Sequence, residues 1–165
     1  NFDHLEKVSL NIKSLEFINN YEPQYIRPYV DHLYDETISE KVERYFQYKI
    51  NTNKSGKRLR IILKEASLKK NSKKNSDKLN IEKLFADRSS VVYHAVLKVE
   101  VQVVNERGFV DVKIDTDVFI REKNSGNLSI NEESAVYFEI CESLILLLDK
   151  ELDLQMKKYF YDYLV

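Results

Sequence analysis

The chain has 165 residues and a mass of 19.6 kDa, which fits one domain with its own hydrophobic core. Hydrophobic residues make up 43% of it and charged residues 32%, a balance that excludes a disordered chain. No apolar run reaches the ~18 residues that a membrane span needs. One Cys, three His and three scattered Gly exclude a disulfide scaffold, a Cys-rich zinc module and a glycine-rich phosphate loop.

Charge is spread unevenly along the chain, although the net charge is only -1. Residues 40–90 carry 15 basic and 6 acidic side chains, whereas both flanking regions are acidic. A basic middle between acidic flanks indicates either a polar partner or charge complementarity within the domain.

Residues 7–18 predict the first strand, because Val8, Leu10 and Ile12 alternate with polar residues. Both prolines lie between residues 19 and 36. Proline is disfavoured inside helices and central strands, so we expect this segment to be extended and to cross the body of the domain.

A helix is predicted over residues 38–51, where apolar residues recur at helical spacing. Thr37 is its candidate N-cap, and Glu40 three residues later would complete a capping box. Residues 51–56 are expected to end the helix, and the alternation that follows predicts a strand over residues 57–68.

Residues 69–90 show no periodic pattern before Leu79, and we expect a mobile lysine-rich insertion there. Lysine clusters attract phosphate backbones and anionic lipid head groups, although a solvated loop without a ligand remains the alternative. The candidate anion-binding residues are Lys69, Lys70, Lys73, Lys74 and Lys78.

The segment after this insertion predicts a long antiparallel hairpin. Apolar residues are odd-numbered on its first strand and even-numbered on its second. For both sets to lie on the same face of the sheet, each odd-numbered residue must pair with an even-numbered one, so the two residue numbers of a pair add to an odd value. A four-residue loop then places Glu100 opposite Lys113 and Lys98 opposite Asp115.

Residues 130–164 predict one long helix with Ser129 as its N-cap. At about 1.5 Å per residue this helix would be longer than the strands, and its last turns should extend beyond the sheet. These turns carry aromatic residues on more than one side, so we expect the segment from 21 to 33 or a partner to cover them. The candidate partner-binding residues are Tyr159, Phe160 and Tyr163.

Together these elements predict a single α+β domain over residues 1–165. Its core architecture is a four-stranded antiparallel sheet with two helices on one face, in the order strand-helix-strand-strand-strand-helix. No internal repeat is evident, which excludes a solenoid.

The sequence contains no recognised catalytic, cofactor-binding or metal-binding constellation. Cys141 lies on the apolar stripe of the last helix, as an inert core cysteine would. Asp115 and Asp117 share one strand face, where a solvated charge ladder is favoured over an acid–base pair. His32 has acidic neighbours but no recognised ligand spacing. We therefore predict no enzyme activity, no cofactor and no metal.

Three short stretches resemble a group of uncharacterised lipoproteins of the alphaproteobacterial envelope. They are Tyr21–Pro23 with Tyr29–Leu33, Ile62–Ser67, and Val99–Val101 through Arg107–Val110. In that group the mature chain begins shortly after a lipidated Cys. The resemblance therefore implies a periplasmic domain that is anchored to a membrane through a removed N-terminal segment. The order of elements is also similar to that of lipopolysaccharide-assembly and transporter-auxiliary lipoproteins, which act as plugs, adaptors or chaperones.

The resemblance implies a non-enzymatic cell-envelope domain that binds an envelope protein or a lipid-bearing complex, with a homo-oligomer as a further option. The alternative is a cytoplasmic module that binds nucleic acid or an anionic membrane surface through the lysine-rich insertion. Nucleic acid is the less favoured partner, because residues 69–78 lack the arginine and aromatic residues that such proteins use.

Overall fold

A computed structural model describes residues 2–21, 28–74 and 89–165, with side-chain surroundings for all of these except 28–37, 55, 72–74 and 89. The predicted α+β class with two helices is confirmed. The elements in chain order are β1 (Val8–Asn19), α1 (Pro28–Lys49), β2 (Ile50–Lys74), β3 (Ser89–Val104), β4 (Val110–Ser125), α2 (Ile130–Tyr159) and a 3-10 turn (Tyr161–Tyr163).

The sheet is mixed, so the predicted all-antiparallel sheet is wrong. Its strands lie in the order β1-β2-β3-β4, with β1 and β2 parallel and the other neighbours antiparallel. The parallel pair follows from α1, because a helix that packs on the sheet between two strands returns the chain to the end where the first strand began. A single bridge between Leu10 and Leu164 adds a very short fifth extended segment beside β1.

α1 begins earlier than the sequence predicts. Residues 28–36, expected to be extended, are helical, and Thr37 lies inside the helix rather than at its N-cap. Pro28 occupies the first helical position, where the missing N–H needs no partner and the fixed φ suits the helix. The remainder of the expected extended segment, residues 22–27, lies outside the described residues.

β2 starts directly after α1, although residues 51–56 were expected to separate the helix from the strand. Its pairing with β1 is interrupted after Thr52 and resumes at Lys57. Gly56 in this interruption has a φ of +86°, and a Cβ at this position would lie 3.3 Å from the carbonyl oxygen of Asn11. Glycine is therefore required by both the backbone conformation and the close approach of β1.

β2 also continues further than predicted at its other end. Residues 69–74, expected to begin the mobile insertion, pair with residues 89–94 of β3. Residues 75–88 of the predicted insertion lie outside the described residues.

β3 and β4 form the predicted antiparallel hairpin, but their register differs from the prediction by two residues. Glu100 lies opposite Asp115 rather than Lys113, and the second predicted pair is displaced in the same way. Two extra residues cause the displacement: Phe109 belongs to the loop, where its carbonyl oxygen accepts the first loop N–H at 2.9 Å, and Asp111 lies at a bulge. A displacement of two leaves every side chain on its own face, so alternation could not distinguish the registers.

Both helices pack on the apolar face of the sheet and contribute to one core with all four strands. Ser129 caps α2 as predicted, with its hydroxyl accepting the N–H of Glu132 at 3.2 Å. α2 ends at Tyr159 rather than at residue 164. Phe160 is fully buried, and the following residues turn back to β1, so the predicted overhang does not form.

Candidate functional site

The face of the sheet opposite the helices, which we call the open face, carries charged and polar side chains in register. One row crosses all four strands and consists of Glu16, Arg60, Gln102 and Lys113. The strands place these side chains outward because their neighbours along each strand point into the core. The open face is therefore a polar surface held by a rigid support.

The middle of the open face is neutralised by ion pairs. The Lys64 ammonium lies 3.2 Å from Asp115 and 3.5 Å from Glu100, and Arg60 lies 3.2 Å from Glu16. Partial burial of Asp115 opposes its ionisation, but the hydrogen bond and charge of Lys64, together with Glu100 and Lys113, outweigh burial and lower the pKa of Asp115. This carboxylate stays ionised at neutral pH, which suits the charge ladder and not a general acid.

One end of the open face holds a cavity of about 580 Å³, which we call the basic pocket. A second cavity of about 370 Å³ adjoins it along the hairpin loop and includes Arg107 in its lining. The basic pocket is lined by Lys13, Lys54, Gly56, Lys57, Arg58, Val104, Asn105 and Glu106.

The basic pocket has an excess of positive charge. Lys57 forms an ion pair with Asp111, and the hydrogen bond in that pair raises the pKa of Lys57. Arg58 lies 3.9 Å from Glu16. Within the described residues Lys13 and Lys54 have no ionic partner. Such a pocket attracts anionic groups, because uncompensated positive charges that surround a concave surface reinforce one another.

The lysine-rich candidates do not come together as one site. Lys69 is exposed on the open face, in register with His94 and Arg121. Lys70 points to the helices instead, where it forms an ion pair with Glu133 at 3.0 Å. Lys73 and Lys74 lie in β2 without described side-chain surroundings, and Lys78 lies outside the described residues.

The three aromatic candidates near the end of α2 lie in different surroundings. Tyr159 is 51% exposed, whereas Phe160 is fully buried and contacts Tyr163 edge-to-face at 6.3 Å between ring centroids. Tyr163 is partly buried against the core. In this arrangement Phe160 supports the domain from inside, and only Tyr159 presents a large surface to a partner.

A buried polar cluster joins the two helices, and the sequence interpretation missed it. The Lys49 ammonium lies 2.8 Å from Asp149 and 2.6 Å from Asp153, and it donates to the carbonyl oxygen of Glu6 at 2.6 Å. The Tyr45 hydroxyl donates to Asp149 at 2.6 Å. The available signal was a lysine on the apolar stripe of α1 together with two aspartates one turn apart on α2.

Burial and hydrogen bonding shift the titration of this cluster. Burial of Tyr45, aided by its hydrogen bond to Asp149, raises the pKa of the phenol above its ordinary range. Burial alone would lower the pKa of Lys49, but its hydrogen bonds to Asp149 and Asp153 outweigh burial and raise it. At neutral pH the raised pKa values keep Lys49 protonated and Tyr45 neutral, as expected for a structural cluster.

Cys141 is buried in the core, and burial raises the pKa of its thiol to about 12 against the weaker opposing effect of Lys41. A thiol in this state is a poor nucleophile at neutral pH. Within residues 2–21, 28–74 and 89–165, no three His, Cys, Asp or Glu side chains are grouped so that they could hold a metal ion. In the same ranges, neither helix combines the length and apolar character needed to cross a membrane.

Comparison with known proteins identifies distant structural similarity and no family. No protein-family model matches the chain, and no curated protein matches it. A minor lipoprotein from Acinetobacter baumannii is 10% identical, with a TM-score of 0.46 over 89% of this chain and 95% of that chain. Rare lipoprotein B from Shewanella oneidensis is 10% identical, with a TM-score of 0.43 over 88% and 95%.

A third similar structure is a neuraminyllactose-binding hemagglutinin homolog from Helicobacter pylori. It is 12% identical, with a TM-score of 0.47 over 86% of this chain and 82% of that chain. These likenesses are too distant to assign a function, which therefore has to be inferred from the residues of this chain.

Proposed function

We propose that this chain is a non-enzymatic binding domain of the cell envelope, which acts in the periplasm and is held there by a membrane anchor that precedes residue 1. The motif resemblance to envelope lipoproteins supports the compartment and the anchor. The open face supports a binding role, because it is a broad, rigid and polar surface opposite the helices.

The surroundings of the reactive side chains favour binding over catalysis. Cys141 is a buried thiol with a raised pKa, and the buried cluster around Lys49 is closed by its own hydrogen bonds. Asp115 is held ionised by Lys64 rather than being tuned towards neutral pH. A general acid or base needs both a pKa near the working pH and a path to substrate. Cys141 and Tyr45 have neither, and the exposed Asp115 lacks the first.

The single observation that carries the binding role is the basic pocket. Lys13 and Lys54, which have no ionic partner within the described residues, lie beside Arg58 at the end of the sheet, next to a cavity large enough for a phosphate-bearing head group. We propose that the partner is a lipid-bearing complex that presents anionic groups to this pocket. Affinity for such a partner should depend on salt, since exposed charges are screened within about 8 Å at physiological ionic strength.

Vesicle binding tests this proposal directly. The 165-residue chain should sediment with vesicles that contain an anionic phospholipid and remain free of vesicles made only of phosphatidylcholine. Lys13→Glu should weaken binding to anionic vesicles. Lys150→Glu is the matched control, because it makes the same charge change on the exposed surface of α2. Equal binding to neutral vesicles, or equal losses in both variants, would contradict the role of the pocket.

The proposed compartment has its own test. The protein expressed from its complete gene should be recovered in the membrane fraction and should incorporate radiolabelled palmitate. Recovery in the cytosol without label would contradict the anchored periplasmic domain, whatever the vesicle experiment gives.

A second candidate function is a cytoplasmic module that binds nucleic acid through the lysine-rich segment. It is favoured by the row of Lys69, His94 and Arg121 across three strands of the open face. The pairing of Lys70 with Glu133 argues against it, because that lysine is not available to phosphates. Tight, strongly salt-dependent binding of a single-stranded oligonucleotide that Lys69→Glu abolishes would favour this candidate.

A further inference from the structure

The two edges of the sheet differ in how they are protected. Beside β1, Leu164 forms a bridge with Leu10, and the N–H of Val165 donates to the carbonyl oxygen of Ser9 at 3.1 Å. At the other edge, β4 pairs only with β3 within the described residues. An unpaired edge strand offers a row of N–H and C=O groups to another strand. With 16 residues, β4 provides a long edge of this kind.

On the open face, the side chains of β4 carry opposite charges on the two sides of Phe119. Phe119 is 62% exposed, and Asp117 and Arg121 flank it on the same face at equal distances along the strand. Within the described residues neither Asp117 nor Arg121 has an ionic partner. One step further out, Asp115 and Lys123 repeat the same opposition of charge.

We propose that two copies of this chain pair through the edges of β4, in antiparallel orientation about a two-fold axis at Phe119. In this register Phe119 of one copy lies opposite Phe119 of the other, and Asp117 of each copy lies opposite Arg121 of the other. The next pair on the open face is Asp115 opposite Lys123. Two opposite charges that face each other across neighbouring strands are favourable, and so are two facing aromatic residues. Two like charges that face each other are unfavourable.

The same register is consistent on the helix-bearing face. There Val118 of one copy faces Ile120 of the other, so the apolar layer continues across the axis. A two-fold axis is the usual symmetry of a pair of identical chains, and it requires a patch that is complementary to itself. The charge sequence of β4 around Phe119 meets that requirement, which is why a second copy is a better occupant of this edge than an unrelated strand.

Sedimentation equilibrium of the 165-residue chain tests the pairing. We expect a concentration-dependent monomer–dimer equilibrium. Asp117→Arg and Arg121→Asp should each weaken the dimer about tenfold or more, because each places two like-charge contacts across the axis. Both sites are exposed, so the variants should fold. Arg44→Asp on the exposed surface of α1 is the control and should dimerise like the wild-type chain.

Mixing the two variants provides the decisive measurement. When Asp117→Arg pairs with Arg121→Asp, both contacts across the axis again join opposite charges. Native mass spectrometry of the mixture should therefore show the mixed dimer in large excess over either dimer of one variant. A chain that is monomeric up to the millimolar range, reversals that leave the dimer unchanged, or a mixture without preference for the mixed dimer would each overturn the proposal.

Discussion

The molecule contains two clusters in which one lysine is held by two carboxylates, and the lysine is buried in one cluster and half-exposed in the other. Between the helices, the fully buried Lys49 is held by Asp149 and Asp153. On the open face, the half-exposed Lys64 is held by Glu100 and Asp115 at somewhat longer distances. Solvent can replace the partners of Lys64 but not those of Lys49, so the same chemistry should contribute to stability in one place and to surface charge in the other.

The largest expected effect comes from removing the buried lysine. Lys49→Met leaves Asp149 and the Tyr45 hydroxyl in the core without their cation, and it should lower the free energy of unfolding by about 3–5 kcal/mol. Chemical denaturation followed by circular dichroism measures this loss. A loss below about 1 kcal/mol would show that water reaches the cluster and that it belongs with the surface pairs.

The buried cluster should also make the domain sensitive to alkaline pH. The pKa values of Tyr45 and Lys49 are raised from their ordinary values of 10.0 and 10.5, so both groups keep their protons longer in the folded state. Their contribution is complete below about pH 10 and is lost as the pH rises through the raised values, by about 1.4 kcal/mol per pH unit for each group.

Unfolding titrations between neutral and alkaline pH measure this slope. Tyr45→Phe should make the slope shallower by the contribution of one group. Tyr161→Phe is the matched control, because Tyr161 is 75% exposed and lies outside the cluster. An unchanged slope in Tyr45→Phe would contradict the assignment of alkaline sensitivity to this cluster.

A smaller effect is expected on the open face. Lys64→Met removes the cation from Glu100 and Asp115. Glu100 is buried but still accepts a hydrogen bond from Gln102, and Asp115 remains accessible to water, so the free energy of unfolding should fall by no more than about 1 kcal/mol. The same denaturation experiment as for Lys49→Met gives the direct comparison. A loss as large as that of Lys49→Met would show that the open face is covered in solution.

The smallest effect should be that of salt. The difference in the free energy of unfolding between Lys64→Met and the wild-type chain should shrink towards zero in 1 M salt, where the screening length is about 3 Å. The corresponding loss of unfolding free energy in Lys49→Met should persist, because ions cannot enter the core. Stability measured at low and high salt for both variants distinguishes the two surroundings without any change of structure.

Local patterns in the sequence predicted the elements that depend on neighbouring residues. Alternation identified the β3–β4 hairpin and its buried face, and the apolar stripe and Ser129 identified α2 and its start. These patterns could not predict the exact hairpin register or the start of α1. A register displaced by two residues keeps every side chain on its own face. Pro28 is equally compatible with an extended segment and with the start of a helix.

The parts that depend on residues far apart in the chain could not be predicted in the same way. The parallel pairing of β1 with β2 results from how α1 crosses the sheet, and Lys49 meets Asp149 only because the helices pack together. The basic pocket likewise combines Lys13 of β1 with Arg58 of β2 and the hairpin loop. The sequence predicted anion binding by a lysine-rich stretch, whereas the pocket is built from basic residues that are far apart in the chain.

The pairing of Leu164 with Leu10 sets a condition on how the protein is made. A ribosome releases the chain from its N-terminus, so β1 emerges first but cannot complete its outer edge until residues near 164 have followed. During that interval the exposed edge is open to association with other chains. Newly made protein should therefore depend on chaperones until the segment around Leu164 has been released, and the contact with Leu10 then protects the first strand.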